Sequence, residues 1–299
     1  MKIAYLSCTQ TLPGAPDRRS DAFEHDYMMS ALREPFLEKG MQIVEIAWND
    51  PDGDWDSFGA AMIGTTWDYW DHQDAFLSTL EKIETVTPLF NPSDMVRWNS
   101  DKSYLRDLEN KGARLIPTLW LDEVTPLKAK AAFATLGSDD LVFKRQVGAG
   151  AEGQYRLKPG DPIPDMPHPM MVQPFLSMIQ TEGEHSFIFI DGDFSHALIK
   201  RAARGDYRVQ STYGGSEEII VPSADDLAAA KAVLDTLSLP PLDAQSVVPL
   251  YARVDMLRGD DGGLLLMEME LIEPYLYPVQ GPQLGQRLAE ALVRRLAPV

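Results

Sequence analysis

The stretch Leu264–Pro274, LLLMEMELIEP, sets Glu268 and Glu270 two residues apart behind four apolar residues. In a β-strand such residues share a face, so both carboxylates leave one side while Met267, Met269 and Leu271 take the other. Two like charges side by side on a mostly apolar strand are unfavourable unless a cation compensates them. A solvated sheet face is the plain alternative. Leu250–Leu257, LYARVDML, reads as a neighbouring strand carrying Asp255, which a hairpin through residues 258–263 would bring alongside. Three carboxylates so placed suit a hard divalent cation, and Mg2+ characteristically combines one or two carboxylates with substrate phosphates. These residues point to an Asp255/Glu268/Glu270 metal site for a nucleotide.

Other stretches carry complementary chemistry. In Leu141–Gly153, LVFKRQVGAGAEG, an apolar strand delivers Lys144, and Gly148, Gly150 and Gly153 form a loop whose backbone can approach phosphate oxygens. No Gly-Lys-Ser/Thr follows, so it is not a Walker A loop, and its sequel reads as a strand, against a dinucleotide fingerprint. A glycine-rich hairpin is the alternative. Met170–Leu176, MMVQPFL, runs into Gln173 and Pro174, where proline removes one backbone donor and frees the neighbouring carbonyl and amide to read an adenine edge. Glu182 and Glu184 follow. Lys200, Arg201, Arg204 and Arg208 then form a positive island, suited to an anion or a developing oxyanion, or to balancing nearby carboxylates. Lys102 sits in the first turn of a helix expected over residues 101–110, where a cation opposes the helix dipole and a bound anion would resolve the conflict. The five histidines show no metal-ligand spacing, and no Ser/His/Asp or Cys/His set is persuasive. His196 reads as a packed, satisfied histidine or as a substrate contact.

The elements that must position these residues begin with a short strand over residues 2–6. A helix over 21–39, which Pro35 should kink or reset, and strands over 41–47 and 60–64 complete a small α/β domain with a parallel sheet. Ligands bind such sheets at the carboxyl ends of strands, which makes Trp67, Tyr69 and His72 substrate-site candidates; the alternative is aromatics packing inward at the start of a helix over 71–83. Residues 90–99 read as a connector. Strands over 187–190 and 194–200 flank an Asp-Gly turn, and helices over 224–237 and 283–296 cover the second sheet.

A chain of 299 residues, 44% hydrophobic and 24% charged, suits a globular protein of two or three subdomains. No apolar run approaches the ~20 residues of a membrane span, and the opening apolar stretch is too short for a signal peptide. The single cysteine, Cys8, excludes an intrachain disulfide framework, fits a reducing cytoplasm, and reads as a small buried residue rather than a nucleophile. A formal net charge of −18 argues against a nucleic-acid or membrane partner, so an anion such as ATP must meet local positive groups and a metal.

Over residues 97–280 the order of these parts resembles the ATP-grasp superfamily. The phrases RWNSDKSYL, VQPFL, EGEHSF, KRAARGDYRVQ and ARVDM followed by MEMELIEP are similar to those of bacterial glutathione synthetases and, above all, of the cyclising ligases of cycloserine biosynthesis. The resemblance implies an α/β fold, α+β in its C-terminal part: a parallel-sheet pre-ATP-grasp domain over 1–96, a central subdomain with the glycine loop over 97–172, and a C-terminal subdomain with the metal site over 173–299. It implies ATP with Mg2+, or Mn2+ in its place. Lys102, Lys144 and the glycine loop would hold the phosphates, Gln173, Phe175 and Leu176 the adenine, and Glu184 the ribose hydroxyls. Lys200 and Arg208 would face the transferred phosphoryl group or acyl intermediate, and Asp255, Glu268 and Glu270 would bind the metal. Glu270 departs from the Asn of glutathione synthetases, and Glu273 stands where they have a small polar residue. The implied activity is a carboxylate-amine ligase working through an acyl phosphate on a small amino-acid-like substrate, in its most specific version the cyclisation of an O-ureidoserine-like molecule, in a cytoplasmic homodimer. The alternatives are an intermolecular peptide-type ligase and a non-catalytic nucleotide-binding protein.

Overall fold

The computed structural model describes residues 1–148, 153–238 and 248–297. Its first unit alternates short apolar strands with amphipathic helices, the pattern that produces parallel sheets. These are β1 (Lys2–Ser7), α1 (Ala22–Glu38), β2 (Gln42–Ala47), β3 (Ala60–Ile63), α2 (Gln73–Glu84) and β4 (Leu89–Phe90), with sheet order β2-β1-β3-β4 and all pairs parallel. β1 is central and buried beyond its first residue.

Two short helices follow, α3 (Ser93–Asn99) and α4 (Tyr104–Asn110). The expected connector over 90–99 thus contains a helix, and the helix expected from residue 101 begins later. The Asp101 side chain accepts from the Ser103 amide at 2.8 Å, a local turn that competes with helix, so Lys102 sits in the turn between the two helices. Next come β5 (Leu119–Leu121), α5 (Pro126–Leu136), β6 (Leu141–Arg145), β7 (Tyr155–Leu157) and β8 (Met170–Pro174), an antiparallel sheet of order β5-β8-β6-β7. Local chemistry bounds α5: the Thr125 side chain caps the Lys128 amide, Pro126 opens the first turn, and Gly137 ends the helix at φ 61°.

The remainder is α6 (Met178–Thr181), β9 (Glu184–Ile190), β10 (Asp193–Arg201), β11 (Ser216–Ile220), α7 (Ala224–Asp235), β12 (Tyr251–Arg258), β13 (Leu264–Glu270) and α8 (Leu284–Leu296). The strands form an antiparallel sheet of order β11-β10-β9-β12-β13. The Asp-Gly turn behaves as expected, with φ 56° at Asp191 and 84° at Gly192. α7 packs on β12 and β13, and α8 packs on α1. α1 continues through Pro35 instead of stopping there. Proline offers no N–H to the Ala31 carbonyl, and Gly285 of α8 packs against that carbonyl: a Cβ at 285 would lie 2.0 Å from its oxygen. Among the described residues no helix is long and apolar enough to cross a membrane.

Candidate active site

The three sheets meet around a cavity of about 280 Å³, and every described nucleotide, metal and basic candidate named from the family resemblance lines it except Gly153, which lies beside Arg145 on its wall. One part is apolar, formed by Ile116, Val142, Phe175, Leu176, Leu257 and Met267. Met267 reaches it because the β12–β13 ladder slips: Asp255 faces Glu268, but Met256 faces Leu266. Met267 is therefore the extra residue of a β-bulge. It packs with Ile116 and Leu257, while Met269 packs on the far side with Phe187 and Val254. Strict alternation, which placed Met267 opposite the glutamates, fails at that residue.

Gln173 is buried in this region; its Nε2 donates to Thr118 Oγ1 at 3.0 Å, and its Oε1 is buried without a donor. The Phe175 amide is not free as expected, because it donates to the Asp140 carbonyl at 2.8 Å. Arg156, paired with Asp140, covers the Phe175 ring at 3.4 Å.

Lys144 has no hydrogen-bond or ion-pair partner among the described residues, and burial holds it below the ordinary lysine range. Lys102 Nζ donates to the Gly148 carbonyl at 2.6 Å and pairs with Glu268 at 3.0 Å. Burial would lower its pKa, but Glu268 outweighs this and raises it. Gly153 has φ 65° and packs on Arg145, where a Cβ would meet the side chain at 2.5 Å. Gly150 lies outside the described residues.

At the acidic part, Asp255 faces Glu268 across the ladder and Arg253 faces Glu270. Asp255 is buried, accepts from Ser186 Oγ and from Arg253 Nε at 3.0 Å, and lies 3.4 Å from Lys200 Nζ. Lys200 also pairs with Glu184, and Arg253 with Glu270. Burial raises Asp255, but Arg253 and Lys200 outweigh it and hold the carboxyl low. Burial, only partly offset by Arg253 and reinforced by Glu268, pushes Glu270 up to about 7. Glu273 is raised further by burial and by Glu270. The cation that the sequence demanded for paired carboxylates is thus supplied in part by Lys102, Lys200 and Arg253. Among the described residues no three acid, histidine or cysteine side chains converge on one metal position. Arg253 escaped the sequence reading, although the i, i+2 rule used for Glu268 and Glu270 also puts it on the face of Asp255.

The basic island disperses. Lys200 is buried at the floor; Arg208 stands at the rim, held by Asp206 at 2.7 Å and stacked on Tyr213 at 3.7 Å. Arg201 turns to the Glu182 carbonyl and Glu218, and Arg204 is exposed. From the first unit, Trp67 and Tyr69 line the cavity as expected, with Arg19 and Glu24; His72 does not, standing exposed at the start of α2. Glu24 accepts from Ser211 Oγ at 2.6 Å, and burial pushes it up to about 7. His196 lies away from the cavity, packed and satisfied: Nε2 donates to the Leu276 carbonyl at 3.0 Å, Nδ1 accepts from Ser195 Oγ at 3.0 Å, and burial pushes it down to about 4.

The run after β13, residues 271–277, is neither helix nor strand, yet side chains from the whole chain hold its carbonyls. Asn91 donates to Leu271 at 2.7 Å, Tyr251 to Ile272 at 2.9 Å, Trp67 to Glu273 at 3.0 Å and Arg253 to Tyr275 at 3.1 Å, besides His196 to Leu276.

Residues 3–91 match the family model described as the N-terminal domain of D-cycloserine synthetase DcsG. Over 294 residues the chain is 30% identical to the cycloserine biosynthesis protein DcsG of Streptomyces lavendulae, covering 91% of this chain and 95% of that one. The chain belongs to the DcsG family of ATP-grasp ligases. Its fold superposes on the crystal structure of D-cycloserine synthetase DcsG with a TM-score of 0.82 at 26% identity, over 99% of this chain and 100% of that one. It superposes on the D-alanine–D-alanine ligase of Bacillus anthracis complexed with ATP with a TM-score of 0.68 at 17% identity, over 99% and 97%. This DcsG-family chain is therefore an ATP-dependent ligase with the ATP-grasp fold that its motifs implied.

Proposed function

We propose that this ligase activates the carboxylate of a small amino-acid-like substrate as an acyl phosphate and then closes a C–N bond within the same molecule, as in cyclisation of an O-ureidoserine-like compound. One observation carries this reading: the segment that matches the D-cycloserine synthetase N-terminal domain contributes Arg19, Glu24, Trp67 and Tyr69 to the cavity. The part of the chain most particular to that family is the part that lines the site beside the nucleotide machinery.

The nucleotide takes the remaining surface. Adenine lies in the apolar part against Phe175 and Leu176, its exocyclic amine donating to the unpaired Gln173 Oε1, a buried acceptor otherwise costly to leave without a donor. Glu184 holds the ribose hydroxyls. Lys102, the free Lys144 and the backbone of Gly148, Gly150 and Gly153 hold the phosphates. Asp255, Glu268 and Glu270, whose donors are all oxygen, would hold the divalent cation; as they stand, Lys102 and Arg253 occupy Glu268 and Glu270, and burial, reinforced by Glu268, pushes Glu270 up to about 7. Bound Mg2+ would screen the phosphate charge that otherwise repels an attacking carboxylate. Lys200 and Arg208 would offset charge on the transferred phosphoryl group and on the tetrahedral carbon's oxygen. The corresponding domain limits are 1–96, 97–172 and 173–299.

The test is Mg2+-dependent ADP release with O-ureidoserine alone, then with carboxylates and amines in pairs. Turnover of the single compound to phosphate and a cyclic product is expected. Turnover only with a pair would replace cyclisation by intermolecular ligation.

A further inference from the structure

One side of the cavity collects carboxylates that no lysine or arginine pairs among the described residues. Asp255, Glu268, Glu270 and Glu184 each face a lysine or arginine. Glu24 on α1 and Glu217 on β11 also line the cavity, but form no ion pair among the described residues. Glu24 is met by the Ser211 hydroxyl and Glu217 by the Gln280 amide at 3.2 Å. To donate there, Gln280 must point its nitrogen at Glu217, which leaves its own Oε1 buried without a donor; Gln210 Oε1, on the cavity wall, is in the same position. Tyr275 is only 7% exposed and lines the cavity, and its hydroxyl has no hydrogen-bond partner among the described residues. The two carboxylates lie near enough to each other and to Tyr275 to interact electrostatically. Lys200 and Arg253 act on the two carboxylates only from a distance, their own ion pairs going to Glu184, Asp255 and Glu270. A half-buried pair of acids with no ion pair of its own is complementary to a ligand that brings both donors and positive charge. An ammonium brings three N–H donors and one charge.

We infer that Glu24 and Glu217, with the Tyr275 hydroxyl, hold the free α-ammonium of the substrate and so select amino acids over the matching des-amino carboxylates. This rests on the proposed reading of the substrate as a small amino-acid-like carboxylate. Arg19 is held away from Glu24 by its bidentate pairing with Asp21 at 2.7 and 2.8 Å, so it does not neutralise the site.

The experiment compares O-ureidoserine with its des-amino analogue by ADP release, in the parent and in Glu24→Gln, Glu217→Gln and Tyr275→Phe, with KM for ATP measured alongside. The parent should prefer the ammonium-bearing compound in kcat/KM by on the order of 10⁴-fold, as sites built around a polar group do. Each glutamine variant should cut that preference by about 10²-fold, and Tyr275→Phe by about 10-fold, with KM for ATP unmoved. A parent that turns over both compounds equally, or a preference that survives both glutamine variants, overturns the subsite and leaves the ligase reading standing. Failure of every ammonium-bearing carboxylate to release ADP, alone or paired with an amine, overturns the proposed function and the subsite together. If a glutamine variant does not fold, the parent's preference and Tyr275→Phe still decide the matter.

Discussion

Glu268 shows how one residue can satisfy two demands. In the structure it neutralises Lys102 at 3.0 Å, and in the proposed reaction it turns to a divalent cation. Removing outer partners of a metal already costs about 10–100-fold, so Glu268→Gln should lower ADP release by ~10²-fold or more; unchanged turnover in a coupled assay would sink the metal assignment. His196 makes a different prediction. Its pKa falls from 6.5 to about 4 on folding, so between those values the unfolded chain binds more protons and stability is lost as pH drops. The full loss is on the order of 3 kcal/mol. Glu24, raised to about 7 by burial, acts in the opposite sense above 4.5, so the measurement is the difference in urea midpoint between parent and His196→Gln from pH 7 to 4. That difference should shrink towards acid. Asp255, Glu268, Lys102, Lys144 and Gln173 were legible because each breaks the apolar pattern of its strand or helix entry. Glu24 and Glu217 were not, because each reads as a surface acid on its own element, and only the tertiary fold faces them into one cavity.

At the scale of elements, most strands and both long C-terminal helices announced themselves by periodicity and turn chemistry. The departures have local causes: an Asp101 turn that delays a helix, a bulge that turns Met267, and a proline tolerated inside α1. The last depends on Gly285. Gly285→Ala would drive a methyl into the Ala31 carbonyl and force α8 away from α1. Overpacking of this kind costs about 1–3 kcal/mol, visible as a lower melting temperature with the fold retained. Met267→Ala should instead leave stability nearly unchanged beside its effect on nucleotide binding, raising KM for ATP by about 10-fold through lost apolar contact.

For the molecule as a whole, the sheets are fastened to one another through buried polar side chains. Tyr251 Oη reaches the carbonyls of Ile63 at 2.7 Å and Ile272 at 2.9 Å, joining the first unit to the strand that carries Asp255. Tyr251→Phe should cost about 1–3 kcal/mol by stranding buried acceptors, and calorimetry should show one cooperative transition in the parent that broadens or splits in the variant. A joint of this kind is invisible in sequence, since one partner is main chain. The run over 271–277 carries this furthest, because its route is set by hydrogen bonds that Asn91, Tyr251, Trp67, Arg253 and His196 make to carbonyls every residue possesses. A stretch tethered in that way keeps its course whatever side chains it bears. Mutation can therefore retune what Glu273 presents to the cavity without rebuilding the wall, and drift among relatives should concentrate on that side chain while Tyr275 and the five tethers stay fixed.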